Sequence, residues 1–157
     1  MNIERKQIKD LRVALKDMEP YVKNPQFLTQ GKRFSNFNML VREAWGNWLL
    51  CVVFSRQYNE DFTFQETGDG DGIIFGKKTK KWCVVEHVCA LDFPKVKKLP
   101  KNEDRALWAI NHKIKKGVNY AKDKSLVVFL DGEERWYPNR VGRQIAWQHN
   151  FLSVYCV

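Results

Sequence analysis

A chain of 157 residues is long enough for one domain with a real core, and 44% hydrophobic and 13% aromatic residues exclude a disordered chain. The longest apolar run, residues 48–54, falls well short of the ~18 residues that cross a bilayer, so no membrane partner is expected. Lys and Arg exceed Asp and Glu by 27 to 18, a net charge of +9 spread along the whole chain, which points to a polyanionic partner, first of all nucleic acid.

Residues 3–19 place Ile3, Ile8, Leu11, Leu15 and Met18 at helical spacing, which predicts an amphipathic surface helix ending before Pro20. Residues 24–34 read as a loop. A largely buried helix capped near Ser35 or Asn36 then runs to about Gln57 and carries Trp45 and Trp48 inward. Strands are expected over 61–66, 71–77 and 81–90, separated by the turn Thr67-Gly68-Asp69-Gly70 and the basic turn 77–81. The third strand is apolar on both faces, which marks a central position. After a loop at 91–101, Asn102 caps a helix over 103–116 that Gly117 stops, with Trp108 expected in the core. A short strand at 125–130, a helix at 139–148 and a last strand at 151–157 complete the chain. The order implies an α/β fold: a mixed central sheet flanked by helices. One domain is expected over 1–157, with an N-terminal helical extension (1–34), a core (35–130) and a C-terminal helix and strand (131–157).

The N-terminus leads into a charged helix rather than a signal peptide. Cys51, Cys83, Cys89 and Cys156 form no CxxC pair and lie in apolar runs, so buried reduced thiols and a cytoplasmic location are expected. Cys83, His87 and Cys89 share a strand face, but six residues span ~20 Å, too far for both sulfurs to reach one zinc ion.

Three acids stand inside apolar surroundings: Glu43 in the helical stretch, Asp71 at the start of the second strand and Glu86 in the middle of the third. A carboxylate is costly to bury unless it is paired, protonated or bound to a cation. If the second and third strands form a hairpin through the basic turn, Asp71 and Glu86 fall near the same open end, about six residues either side of it. Cross-strand partners lie ~5 Å apart, close enough to share one Mg²⁺. Glu43 joins them if its helix packs on that face. Asp69 competes with Asp71 as a ligand, and Asp71 also reads as a turn residue. A buried ion pair with a lysine would equally satisfy Glu86.

The element order and the placement of these acids resemble the PD-(D/E)XK nuclease superfamily over roughly residues 36–130. The resemblance implies a restriction-endonuclease-like αβββαβ core. Asp71 matches its motif Asp, with Gly70 where proline is frequent. Glu86 matches the acid of the (D/E)XK element, and Glu43 the helical Glu. Position 88, where the motif has lysine, is Val88. Lys113, beside the apolar stripe Leu107, Ile110 and Ile114, is the first candidate to replace it, and Lys77 the second. The resemblance implies a metal-dependent endonuclease that hydrolyses DNA with Mg²⁺ or Mn²⁺ held by Glu43, Asp71 and Glu86, with Lys113 assisting, in a defence or mobile-element setting.

Lys77, Lys78, Lys80, Lys81, Lys116, Arg140 and Arg143 are the expected nucleic-acid contacts, with Trp136 as a candidate for base stacking. A homodimer is compatible with such a fold. Two other functions fit the same residues: a nucleic-acid-binding domain with a decayed site, and an interaction module of the inhibitor or immunity kind that meets an acidic protein.

Overall fold

The computed structural model describes residues 10–29, 31, 33, 38–90, 100–130 and 135–157. The protein is mixed α/β, with six helices among the described residues and a five-stranded mixed sheet of order β1-β2-β3-β4-β5. Its contacts divide it into two compact units, Met1–Val85 and Glu86–Val157.

The first unit holds helices α1 (Leu11–Val22), α2 (Pro25–Thr29) and α3 (Val41–Tyr58), strands β1 (Phe62–Gln65) and β2 (Gly72–Gly76), and the first half of β3 (Trp82–Ala90). The first helix starts at Asp10, whose carboxylate accepts the Arg12 N–H at 2.7 Å. It continues through Pro20, not ending before it as the sequence implied. Proline there costs one bond of the last turn, and the turn still closes through the Lys23 N–H on the Glu19 carbonyl at 3.0 Å. Ala14 and Met18 face inward, whereas Leu15 is exposed. The part of this expected helix before residue 10 lies outside the described residues. Part of the expected loop at 24–34 is helical, as α2.

Helix α3 begins at Val41, later than predicted, and the cap sites Ser35 and Asn36 lie outside the described residues. Its start is held by Glu43, whose Oε2 accepts the Leu40 N–H at 2.8 Å. Asn59, left-handed at φ 49°, ends it. Trp45 and Trp48 are half-buried and stacked at 5.1 Å, and the Trp48 indole N–H reaches back to the Leu11 carbonyl at 2.8 Å. The helix packs on β1 and β2. These strands pair antiparallel from Phe62↔Gly76 to Gln65↔Ile73, and β2 pairs with β3 from Gly72↔Val85 to Phe75↔Trp82.

Glu60 locks this hairpin to the end of α3. Its Oε1 accepts the Lys78 and Thr79 N–H groups at 2.8 and 2.7 Å and the Thr79 hydroxyl at 3.0 Å. The Thr79 N–H leads these bonds in holding the Glu60 carboxyl below the ordinary glutamate range.

The second unit holds the rest of β3, helices α4 (Asn102–Ile114), α5 (Val118–Ala121) and α6 (Pro138–Ile145), and strands β4 (Lys124–Leu130) and β5 (Val154–Cys156), which pair parallel. Asn102 is the first helical residue rather than the cap, and the short α5 was not foreseen. The core gathers Val88 and Ala90 from β3, Ala106, Leu107, Ala109 and Ile110 from α4, Leu126 and Val128 from β4, and Val141 and Ile145 from α6. Trp108, expected inside, is 40% exposed on the outer side of α4. No helix among the described residues is long and apolar enough to cross a membrane. All four cysteines are free thiols, and burial pushes the Cys156 thiol up to about 11 and Cys51 higher still.

Glycine suits position 72, because a Cβ there would press on the side-chain nitrogen of the buried Asn47, which would have to shift. Gly72→Ala is expected to lower unfolding stability by about 1–3 kcal/mol. The loss should shrink in an Asn47→Ala background, where the opposing amide is gone, and chemical denaturation of the four variants measures the difference.

Candidate functional site

The apolar stripe of α4 runs through Ala106, Ala109 and Ile110 at helical spacing and reaches Lys113 next on the same face. Burying a lysine there requires an acceptor, and β3 supplies one in Glu86. Glu86 is 6% exposed and Lys113 is 9% exposed. Lys113 Nζ lies 3.2 Å from Glu86 Oε2 and donates to the Tyr120 hydroxyl at 2.8 Å. The Tyr120 O–H in turn donates to Glu86 Oε2. Lys124, the first residue of β4, donates to Glu86 Oε1 at 2.9 Å. The Tyr120 ring also has cations around it: the nitrogens of Lys116 and Lys124 lie 4.5 and 5.0 Å from its centroid, and that of Lys113, beyond the hydroxyl it bonds, 5.4 Å. Phe151 meets the same ring edge-on at 6.3 Å.

Burial pushes the Glu86 carboxyl upward, but the bonds from Tyr120, Lys124 and Lys113 outweigh it. The net position is below the ordinary glutamate range, so Glu86 is ionised. Among the described residues, one negative charge thus faces two ammonium groups, with a third on the phenol ring. Counted over these groups, positive charge exceeds negative in a partly dehydrated place.

Two of the expected site residues, Glu86 and Lys113, are therefore brought together. Tyr120 and Lys124 complete the cluster without having been singled out. The only signal for Lys124 is the run of lysines between positions 113 and 124. Tyr120 gave no signal, because its place depends on a single helical turn after Gly117 (φ 92°) that periodicity does not announce.

Glu43 and Asp71 belong to the first unit. Glu43 serves the start of α3 through Leu40. Asn47, one turn further along the same helix face, donates to the Asp71 carbonyl at 3.3 Å. The Asp71 N–H donates to the Val85 carbonyl at 2.9 Å, which fixes Asp71 at the end of the β2–β3 pairing. Asp69 is an exposed turn residue whose N–H bonds Thr67 Oγ1 at 3.2 Å. Among the described residues, no three His, Cys, Asp or Glu side chains form a group that could hold a metal ion. Both Glu86 oxygens are already engaged, by Lys113 and Tyr120 on one side and by Lys124 on the other.

Lys77, Lys78, Lys80 and Lys81 are all exposed on the β2–β3 turn, as are Lys116, Arg140 and Arg143 in the second unit. The Lys80 ammonium lies 5.8 Å from the centroid of the Phe75 ring. Trp136, the expected stacking residue, is half-buried and packs against the second unit's core.

No protein-family model matches the chain, and no curated protein or solved structure matches it.

Removing Glu86 leaves Lys113 and Lys124 facing each other without their shared carboxylate. Glu86→Ala is expected to cost on the order of 3 kcal/mol, more than Lys113→Met, which leaves Lys124 on the carboxylate. Because the folded-state carboxyl sits lower than in the unfolded chain, the stability that Glu86 confers is complete above about pH 4.3. It is lost as the pH falls through the lower folded value. Urea unfolding at a series of acid pH values should therefore show wild type and Glu86→Gln converging in acid.

Proposed function

We propose that the protein binds nucleic acid, with DNA as the partner, and that phosphates are held at the Lys113–Tyr120–Lys124 cluster and along the exposed basic stretches. The observation that carries this reading is the cluster's charge: among the described residues, three lysines gather on one tyrosine around the Glu86 carboxylate. Lys124 keeps 18% of its side-chain surface in solvent and Lys116 is exposed, so a phosphate oxygen can reach both ammonium groups. A net charge of +9 adds a long-range attraction that falls with salt.

A second reading is hydrolysis of that DNA by a metal-dependent endonuclease of the restriction-endonuclease-like kind. It is favoured by the 3.2 Å approach of Lys113 to Glu86, the pairing that the superfamily resemblance implies when the motif lysine has moved to a helix. A bound Mg²⁺ or Mn²⁺ would supply an activated water and neutralise phosphate charge. In the arrangement described, Lys113 and Lys124 hold Glu86 ionised, and Tyr120 orients it.

Fluorescence anisotropy with labelled DNA tests the first reading. Affinity should fall steeply with added salt, and Lys116→Ala and Lys124→Ala should each lower the magnitude of the logarithmic salt slope by about one. Undetectable binding at low salt would sink both readings. Plasmid cleavage with Mg²⁺ or Mn²⁺, lost in Glu86→Ala and Asp71→Ala, would establish the second, whereas intact plasmid with full binding would leave only the first.

A further inference from the structure

Helix α6 presents two faces of opposite chemistry. Val141 and Ile145 are buried in the second unit's core. On the other side, Tyr137, Arg140, Gln144 and Trp147 follow one another at intervals of three or four residues, a single stripe of helix surface with Arg143 beside it. All five are exposed. The backbone stays right-handed helical through Ala146, and the Gln148 N–H closes a further turn on the Ile145 carbonyl at 2.9 Å, so Trp147 ends the stripe.

Trp147 leaves 98% of its surface in water, the most exposed of the described large hydrophobic side chains, and Tyr137 leaves 55%. An indole so placed forgoes the burial that a tryptophan ordinarily gains. Arg140 and Arg143 stand on the same helix, and residues 135–157 contain no Asp or Glu; the acid that reaches this stripe is Glu103 of α4, paired with Arg140. The arginine side chains are also held in place. The Arg140 guanidinium lies 4.6 Å from the centroid of the Tyr137 ring and 3.5 Å from the Glu103 carboxylate. Arg143 Nε donates to the Asn139 carbonyl at 3.2 Å.

We propose that this stripe is a contact site for single-stranded nucleic acid, in which Trp147 stacks on an unpaired base and Arg143 and Arg140 meet the flanking phosphates. This deepens the nucleic-acid reading above and rests on it. The argument is one of complementary chemistry. A planar, solvated indole presents a face that any base can cover, and bases inside a duplex already have both faces covered. Guanidinium groups one and two turns before it on the helix match a phosphodiester chain in charge and in hydrogen-bond geometry. An amphipathic helix lying on a lipid surface would need its apolar face free, and α6 spends that face on the core.

The test uses the full chain, fluorescence anisotropy and three probes: labelled oligothymidylate, an abasic strand of equal length and a mixed-sequence duplex. Trp147→Ala should weaken oligothymidylate binding by about tenfold or more. Trp147→Phe should weaken it less, and neither should change affinity for the abasic strand. Arg143→Ala should weaken both strands and reduce the salt dependence. Equal oligothymidylate affinity for wild type and Trp147→Ala would overturn the proposal, as would an equal loss on the abasic strand. A concentration-dependent self-association in sedimentation velocity that Trp147→Ala abolishes would overturn it too, by making the patch an interface between copies. Wild-type binding to none of the three probes would instead sink the nucleic-acid reading itself.

Discussion

The second unit is organised around one electrostatic constraint: an ionised glutamate in the middle of a central strand. Taking a carboxylate out of water costs several kcal/mol even after relaxation, and only close counter-charges with good geometry offset it. Glu86 obtains them from three separate elements, Lys113 on α4, Tyr120 on α5 and Lys124 at the start of β4. The register of α4 against β4, the one-turn α5 and the entry into β4 are thereby coupled to a single side chain. If any of the three elements slipped by one residue, the charge would lose a partner. Apolar packing alone tolerates such slips better than a hydrogen-bonded ion cluster does.

Strand β3 was legible from its composition: nine residues with three valines and two cysteines, following a basic turn, read as a buried strand. The positions of β1, β2 and β4 were also close to expectation, for the same reason of local pattern. The helix boundaries were less legible. Pro20 read as a stop, yet in a last turn it removes only one bond. The start of α3 is set by Glu43 reaching back to Leu40, a contact that the nearby Ser35 and Asn36 obscured in the sequence. For the site, the rule that a buried charge needs a partner asked for a lysine near Glu86 without naming it, and Lys113 was singled out separately, as the replacement for the motif lysine beside an apolar stripe; the two meet at 3.2 Å. Tyr120 and Trp147 escaped, since nothing in a linear pattern separates a phenol under three lysines or an indole in water from aromatic residues of the core.

The two basic regions are built differently. In the first unit, the lysines of the β2–β3 turn are displayed on a rigid hairpin, because Glu60 consumes two backbone N–H groups and the Thr79 hydroxyl of that turn. The acid removes donors that would otherwise form an anion-binding concavity of their own. What remains for a ligand are the side-chain ammonium groups, point charges on flexible stems that favour no sequence and little geometry. The lysine cluster of the second unit has the opposite character, since Tyr120 and Glu86 restrict its ammonium groups before any ligand arrives. Preorganisation of that kind reduces the entropy lost on binding a phosphate.

A buried ion cluster is a poor device for stability alone. Apolar side chains of similar volume in place of Glu86, Lys113 and Lys124 would join the adjoining core of Val88, Ile110 and Leu126 with no desolvation penalty. The same reasoning applies on the surface, where a smaller polar residue at position 147 would remove an exposed indole without touching the buried side of α6. Both features therefore run against what folding by itself favours. They do so with complementary chemistry, ammonium groups for phosphate in one case and an aromatic face for a base in the other. Phosphate contacts position a strand and base contacts add what charge alone cannot supply. The proposed nucleic-acid partner draws on both, because among common polyanions it is the one with flat, stackable side groups.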